Sequence, residues 1–399
     1  MMPWRRVLSF GALPILSALA PLLAVPSITS HLGADGWSAI AIGQSLGFVV
    51  LAITTGGWGT LGPSLLAAEE DRPTLYRASL TARTLIGLPL TALFAGVAAT
   101  LAPEDHRRTA AVMVVGVAAW SFGPLWYFIS IGSARWVALL DAGPKVLAAL
   151  VASVLIRDTS DELVYPVAMI TVATVSAAAG AVMLARGGQG IAWSRAKRFI
   201  AQDAHLSLAR VSTAAYVGLS VPLVALLAPS AVPAFAAADR LRLLASNALV
   251  SVAAGLQSWV FVDGVPSLRR QRQGVAVMSA LGVIAAVVLV AGRPALERHL
   301  FSGVTGLTTG LVAAHAVALV AIGAAAGLVL QVLAPLGRTK AMAMSSHLGA
   351  AVGLPTVVAL SVAHQSLGAS VAIALTEWIV LLALVLAALR RRPSPTVPA

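Results

Sequence analysis

The sequence predicts an all-α, polytopic membrane protein of about twelve transmembrane helices in two six-helix halves. Three observations predict it. The 399-residue chain is 59% hydrophobic and only 11% charged, with a mean hydropathy of +0.90. A water-soluble domain with that much apolar surface would aggregate. The apolar residues fall into runs long enough to cross a hydrocarbon core of about 30 Å, and the connections between them are too short to hold a soluble domain. Basic residues also alternate from one side of the runs to the other.

In chain order the spans are expected at roughly 7–30, 37–66, 80–101, 110–130, 133–156, 164–185, 205–228, 231–259, 275–292, 304–333, 341–362 and 367–389. The opening MMPWRR and the apolar run behind it resemble a signal peptide. However, Val7 to Ser30 is too long for its hydrophobic region, and no small-residue cleavage site stands out between Pro21 and Ser30, so this is an uncleaved first span. With the N-terminus in the cytoplasm, the inside segments carry Arg5, Arg6, Arg72, Arg77, Arg83, Arg135, Arg186, Arg195, Lys197, Arg198, Arg269, Arg270, Arg272, Arg338, Lys340 and Arg390 to Arg392. The outside segments carry only Arg107, Arg108, Arg157, Arg293 and Arg298. The positive-inside rule therefore places both termini in the cytoplasm, and most of the +12 net charge is a topology signal beside anionic lipid.

The longest cytoplasmic segment, RGGQGIAWSRAKRFIAQDAH, falls at mid-chain, and its aromatics among basic residues suggest a helix lying on the membrane surface. The domain organisation is then 1–185 as an N-terminal six-helix bundle, 186–204 as a cytoplasmic linker or surface helix, and 205–399 as a C-terminal six-helix bundle with a short cytoplasmic tail. An offset of about 198 residues between the halves aligns Trp37 with Phe235 and Gly57 with Gly255, a weak trace of duplication. It also sets Gln44 opposite Arg242.

The eighth span holds the residues that most demand explanation. Ala231 to Trp259 reads AVPAFAAADRLRLLASNALVSVAAGLQSW, mostly apolar, yet it carries Asp239, Arg240 and Arg242. Each such charge at mid-membrane costs about 2.5–3.5 kcal/mol on insertion scales. Arg240, Asn247, Ser251 and Ser258 fall within about 20° of one helical line, a polar stripe suited to a water-filled cavity. Asp239 and Arg242 are spaced to pair with each other, which leaves Arg240 without a local acid. The two readings are a set of structural pairs and the polar wall of a transport pathway.

Other ionisable residues lie within spans. Asp141 and Lys145 have the i, i+4 spacing of a salt bridge, acid first. Glu377 sits mid-span with no basic residue near in sequence; it is either a proton-coupling carboxyl or a neutral hydrogen-bonding one. His315 is either a core histidine or a functional one. Arg210 either snorkels to the cytoplasmic face or faces the pathway. The substrate-binding candidates are thus Arg240, Arg242, Asn247, Arg210, Lys145 and Gln44, and the coupling or structural-pair candidates are Asp239, Asp141, Glu377 and His315.

The first two spans have a recognisable shape. A first span ends in Leu32 and Gly33, Gly36 and Trp37 follow, and a second span closes on Gly56, Gly57, Trp58 and Gly59. In the second half FAAADRL places Ala238, Asp239, Arg240 and Leu241 after Phe235. These segments resemble the polysaccharide flippases (O-antigen and teichoic types) of the multidrug/oligosaccharidyl-lipid/polysaccharide exporter superfamily. The resemblance covers the chain in span count and topology. It implies two six-helix bundles around a central, often basic, cavity, and flipping of an undecaprenyl-pyrophosphate-linked oligosaccharide to the outer leaflet. The partners implied are the lipid-linked glycan, bacterial membrane lipids and glycosyltransferases or a glycan polymerase of the same pathway, at a bacterial cytoplasmic membrane.

The alternative is an ion-coupled antiporter exporting drugs or small metabolites. The loop AAEEDRPTLYR lacks the glycines of the major facilitator signature. An enzyme is not expected: the external loops APEDHRRT and IRDTSDELVYP are short, and neither a nucleophile nor a metal-ligand constellation is apparent, so no cofactor is expected. The cluster Arg269, Arg270 and Arg272 lacks aromatics to stack bases, which argues against nucleic acid. The chain has no cysteine, so single cysteines report topology cleanly. Gly188→Cys and Ser230→Cys are expected to react with an impermeant maleimide from opposite sides of the membrane; labelling from one side would overturn the twelve-span topology.

Overall fold

A computed structural model describes residues 16, 17, 19–187, 193, 196, 197, 204–262 and 265–389; for Thr60, 204–211, Thr213 and Ser258 it describes the backbone alone. Most of the expected 186–204 surface helix therefore lies outside the described residues. Among the described residues the regular structure is helical, apart from a two-residue strand pair, Phe261–Val262 with Val265–Pro266. The helices are α1 (Val25–Thr55), α2 (Trp58–Ala68), α3 (Arg72–Leu101), α4 (Glu104–Ser130), α5 (Ala134–Thr159), α6 (Val164–Leu184), α7 (Ala204–Leu227), α8 (Val232–Leu256), α9 (Leu268–Leu300), α10 (Thr309–Leu333) and α11 (Thr339–Leu389). Eight of them are long and apolar enough to cross a membrane.

Two helices each hold parts of two expected spans. α1 bends at Gly33, whose φ of 68° and ψ of −163° are open to glycine and strained for a residue with a Cβ. The break separates the end of the first span from the second. α11 has 51 residues, which as one straight helix would reach about 76 Å, more than twice a membrane's apolar thickness. It is interrupted at His364 and Gln365, the latter with φ 50°, and this divides the two expected final spans.

Other boundaries move. The second span ends at Thr55, not 66, because Gly56 takes φ 44° and a new helix starts at Trp58. The third begins at Arg72, capped by Asp71, whose side chain accepts from the Thr74 N–H. Arg83 is therefore not in a cytoplasmic loop, as expected, but deep in the bundle at 1% exposure. Its partners are mostly backbone: Nη1 donates to the Ser121 and Gly123 carbonyls at 2.6 and 2.9 Å and Nε to the Ser79 carbonyl at 3.1 Å, while Nη2 donates to the Ser79 hydroxyl at 3.0 Å. The Ser121 and Gly123 carbonyls are available because the backbone leaves helical geometry at Gly123, ψ 161°, just before Pro124, and the ladder of α4 is broken there. A buried cation thus closes the hydrogen bonds of a broken helix.

The architecture is the expected all-α one, two bundles around a central cavity. α1, α3, α4, α5 and α6 pack together, as do α7 to α11, and α1 against α7 is the main seam between them. Gly218 of α7 makes that seam close: a Cβ there would meet Val49 Cγ2 at 2.5 Å and the Ser45 carbonyl oxygen at 3.2 Å. With no water-driven collapse inside a bilayer, such small-residue contacts are what let helices associate.

Candidate functional site

The cavity between the bundles encloses about 1060 Å³. The first bundle contributes Gln44, Phe48, Trp120, Asp141, Lys145 and Tyr165; the second contributes Gly218, Arg240, Asn247, Thr339 and Ser346. Most of the wall is apolar. The cavity reaches the helix ends at Thr55, Ile129, Ala134 and Thr339.

The opposite end is closed by contacts between the bundles. Trp37, 1% exposed, tilts against Phe301 with ring centroids 5.6 Å apart, and its indole N–H donates to the Pro233 carbonyl at 3.2 Å. Thr29 and Ser302 share a hydroxyl hydrogen bond at 3.0 Å. Pro233, Phe301 and Ser302 sit at or just outside helix ends, and Thr29 and Trp37 flank the bend at Gly33, so these contacts plug the side of the bundles opposite the cavity opening.

Within the cavity the residues proposed from sequence fall into two classes. Of the expected stripe, Arg240 and Asn247 line it; Ser251 does not, and its hydroxyl donates to the Asn247 carbonyl at 2.8 Å. The Arg240 guanidinium lies 5.9 Å from the Phe48 ring centroid, and its Nε is buried without a hydrogen-bond partner. A cation over an aromatic face gains a modest attraction, but no carboxylate neutralises Arg240 among the described residues. Gln44 donates from Nε2 to the Tyr165 hydroxyl at 3.3 Å. Asp141 and Lys145 form the expected bridge, Nζ to Oδ1 at 2.6 Å, and Ser17 joins them. The Arg210 side chain, like that of Ser258, lies outside the described residues.

The second class lies behind the wall, inside the C-terminal bundle. Arg242 points away from the cavity and pairs with Asp239 through Nε at 3.0 Å and Nη2 at 2.6 Å; both are 2% exposed. Arg242 was a substrate-binding candidate, and its burial in this pair removes it from the cavity surface. Glu377 was expected without a basic neighbour; the fold brings Arg242 Nη1 to 4.0 Å from its Oε1. No sequence window reveals a pair 135 residues apart. His315 is fully buried, Nε2 3.1 Å from the Ser370 hydroxyl and its ring 5.8 Å from that of Phe235. Its Nδ1 has no partner.

Sequence reasoning did not find Phe48, Trp120, Tyr165 or Ser17. Aromatics and serines are common in apolar spans, and only the cavity distinguishes these four. Among the described residues no group of three or more acidic or histidine side chains could hold a metal ion.

No protein-family model and no curated protein matches the chain. Solved structures do match its fold. Lipid II flippase MurJ, in an inward closed conformation, aligns with TM-score 0.74 at 12% identity over 95% of this chain and 87% of that one. A multidrug resistance MATE family transporter of the MOP superfamily, inward-facing, aligns with TM-score 0.70 at 13% identity over 96% of both. MATE in complex with MaL6 aligns with TM-score 0.61 at 11% identity over 97% of this chain and 96% of that one. At such identities the likeness is one of fold: a multi-pass membrane protein with the architecture of flippases and multidrug transporters.

Two outcomes follow from the geometry. Arg242→Met leaves Asp239 and Glu377 buried without their counter-charge and is expected to destabilise by about 3–5 kcal/mol, seen as lower membrane abundance and earlier thermal unfolding in detergent. Arg240→Gln should melt with the wild type; equal losses in both variants would contradict the division of labour on α8. Trp37→Ala removes an aromatic contact and a buried hydrogen bond, together worth about 2 kcal/mol. A cysteine at Asn247 should react with an impermeant maleimide from the Thr339 side in both backgrounds, and about tenfold or more faster from the far side in the Trp37→Ala background. Unchanged far-side reactivity would show that the plug lies elsewhere.

Proposed function

We propose that this chain is a flippase that moves a polyprenyl-linked glycan precursor from the cytoplasmic to the outer leaflet of a bacterial cytoplasmic membrane. The observation that carries the reading is Arg240: a guanidinium on the wall of an inter-bundle cavity, paired with no carboxylate among the described residues, since the adjacent Asp239 is taken up by Arg242. A cation in mostly apolar surroundings is costly unless a partner arrives, and a phosphorylated head group is such a partner. Guanidinium presents parallel N–H donors that match phosphate oxygens, which an ammonium does not. Asn247 and Gln44 add neutral donors and acceptors for a glycan. With the orientation expected from the basic residues, the open end of the cavity faces the cytoplasm while Trp37, Phe301 and Pro233 close the other side, which supports reading this conformation as the one that loads from within. Arg210, at the cytoplasmic end of α7, is proposed to attract the head group at entry.

The second reading, an antiporter for drugs or small metabolites, is favoured by the apolar wall and the likeness to multidrug transporters in fold. On that reading Glu377 would exchange a proton and Arg240 would disfavour cationic cargo.

The test uses cells that depend on this chain for glycan export. At matched expression Arg240→Ala should cut export about ten- to a hundredfold, as expected from losing a hydrogen-bonded charge worth about 1.5–3 kcal/mol. Lipid-linked glycan should accumulate on the cytoplasmic leaflet, and Arg240→Lys should restore part of the flux. Normal export by Arg240→Ala would remove Arg240 from the mechanism. Drug efflux that is lost in Glu377→Gln, with export untouched, would favour the antiporter.

A further inference from the structure

The side chains charged at neutral pH on the described cavity wall are Arg240, Lys145 and Asp141. Their states differ. The Lys145 ammonium is already engaged: 2.6 Å from Asp141 Oδ1, 3.0 Å from the Ser17 hydroxyl, and 4.5 Å above the Trp120 ring centroid. An ammonium has three N–H donors, and these contacts occupy its surroundings. The other Asp141 oxygen, Oδ2, accepts from the Ser17 hydroxyl at 2.8 Å. Ser17 therefore donates to the carboxylate and accepts from the ammonium, and the trio is neutral and turned upon itself. Arg240, with its unpartnered Nε, supplies one free positive charge.

A charge count against possible cargo follows. A sugar joined to a lipid through one phosphodiester carries one negative charge at neutral pH; through a pyrophosphate it carries two. One guanidinium neutralises the first and leaves the second with a charge uncompensated in a mostly apolar cavity, where unpaired charges are strongly disfavoured. We propose that the cavity selects an amphiphile whose head group carries a single phosphodiester, and that Asp141 sets this selectivity by neutralising Lys145. The proposal rests on the reading above that the cargo is a phosphate-bearing lipid, and it narrows that class. Bidentate hydrogen bonding by Arg240 to the two non-bridging oxygens of one phosphate completes the match.

The design makes a distinctive substitution available. Asp141→Asn keeps the size of the side chain but frees Lys145, raising the free charge to two. Asp141→Asn with Lys145→Gln removes both charges and returns it to one.

The experiment measures binding to the purified full chain in nanodiscs, through tryptophan fluorescence. The probes are decyl glucosyl phosphate and decyl glucosyl diphosphate, which share tail and sugar and differ by one phosphate. Inorganic phosphate and pyrophosphate are the free-anion controls. The wild type should bind the monophosphate about tenfold or more tighter than the diphosphate. Asp141→Asn should shift that ratio by at least about tenfold toward the diphosphate, and the double variant should recover the wild-type ratio. Arg240→Gln should lose both lipids.

A wild type that binds the diphosphate equally or more tightly overturns the proposal, as does a double variant whose ratio departs from the wild type. So does an Asp141→Asn protein that binds both lipids with the wild-type ratio. Binding of inorganic phosphate as tight as that of the lipid would overturn the lipid part. Tight diphosphate binding that still needs Arg240 sinks this inference alone. Lipid binding indifferent to Arg240 sinks the flippase reading instead.

Discussion

Three ionised side chains within four residues of one apolar helix set the constraint that the rest of the C-terminal bundle meets. α8 cannot present Asp239, Arg240 and Arg242 to lipid, where each would cost about 2.5–3.5 kcal/mol or more. Consecutive helical positions lie about 100° apart, so no single face can hold all three. The fold separates them. Asp239 and Arg242 turn inward, joined through two hydrogen bonds at 2.6 and 3.0 Å, with Glu377 of α11 at 4.0 Å as a second acid. Arg240 turns to the cavity. The inward pair needs the tight packing of α7, α10 and α11 around it, while the outward charge needs space and water.

The first bundle handles its charges differently. Arg83 has no carboxylate among its hydrogen-bond partners and is held by carbonyl oxygens, made available by the break at Gly123 and Pro124. Lys145 is neutralised within its own turn by Asp141. Each bundle therefore satisfies its buried charged groups locally, and among the described wall residues only Arg240 adds charge that a ligand can meet. In the flippase reading, that asymmetry gives the cargo an orientation: the head group is drawn toward α8, while Phe48 and Trp120 offer aromatic surface on the facing wall.

Much of this was legible in the chain because it is local. Hydropathy and basic-residue alternation depend on neighbours in sequence, and they placed about half of the spans to within a few residues and one end of most others. The pairs Asp239 with Arg242 and Asp141 with Lys145, and the cavity stripe of Arg240 and Asn247, follow from helical spacing alone. What was not legible depends on contacts between distant elements. Glu377 meets Arg242 across 135 residues, and Trp37 meets Phe301 and Pro233 across the two bundles. Arg83 was misread as a loop residue because charge outweighed the helical signal of Asp71 and Pro73, an N-cap followed by proline in the first turn. Gly56 ended a span that apolar composition carried on for eleven more residues, since a backbone break needs only one positive φ.

The placement of the plug and of Arg240 on the same helix bears on how cargo would be released. Pro233, which accepts the Trp37 indole N–H, lies in the first turn of α8, and Arg240 lies seven residues further along, about 10 Å on a rigid helix. A shift of α8 therefore moves both together. Cargo cannot open the plug merely by binding tightly; it must bind one conformation better than the other. While Arg240 is unneutralised, a conformation that narrows the cavity around it brings a bare cation into apolar contact and is disfavoured. A bound phosphate removes that penalty and leaves a neutral pair, which the narrower cavity tolerates far better. Neutralising one side chain would thus make closure on the cytoplasmic side more accessible. The plug at Trp37 would then be the remaining barrier, a few aromatic and hydrogen-bonding contacts that a modest difference in affinity is able to overcome.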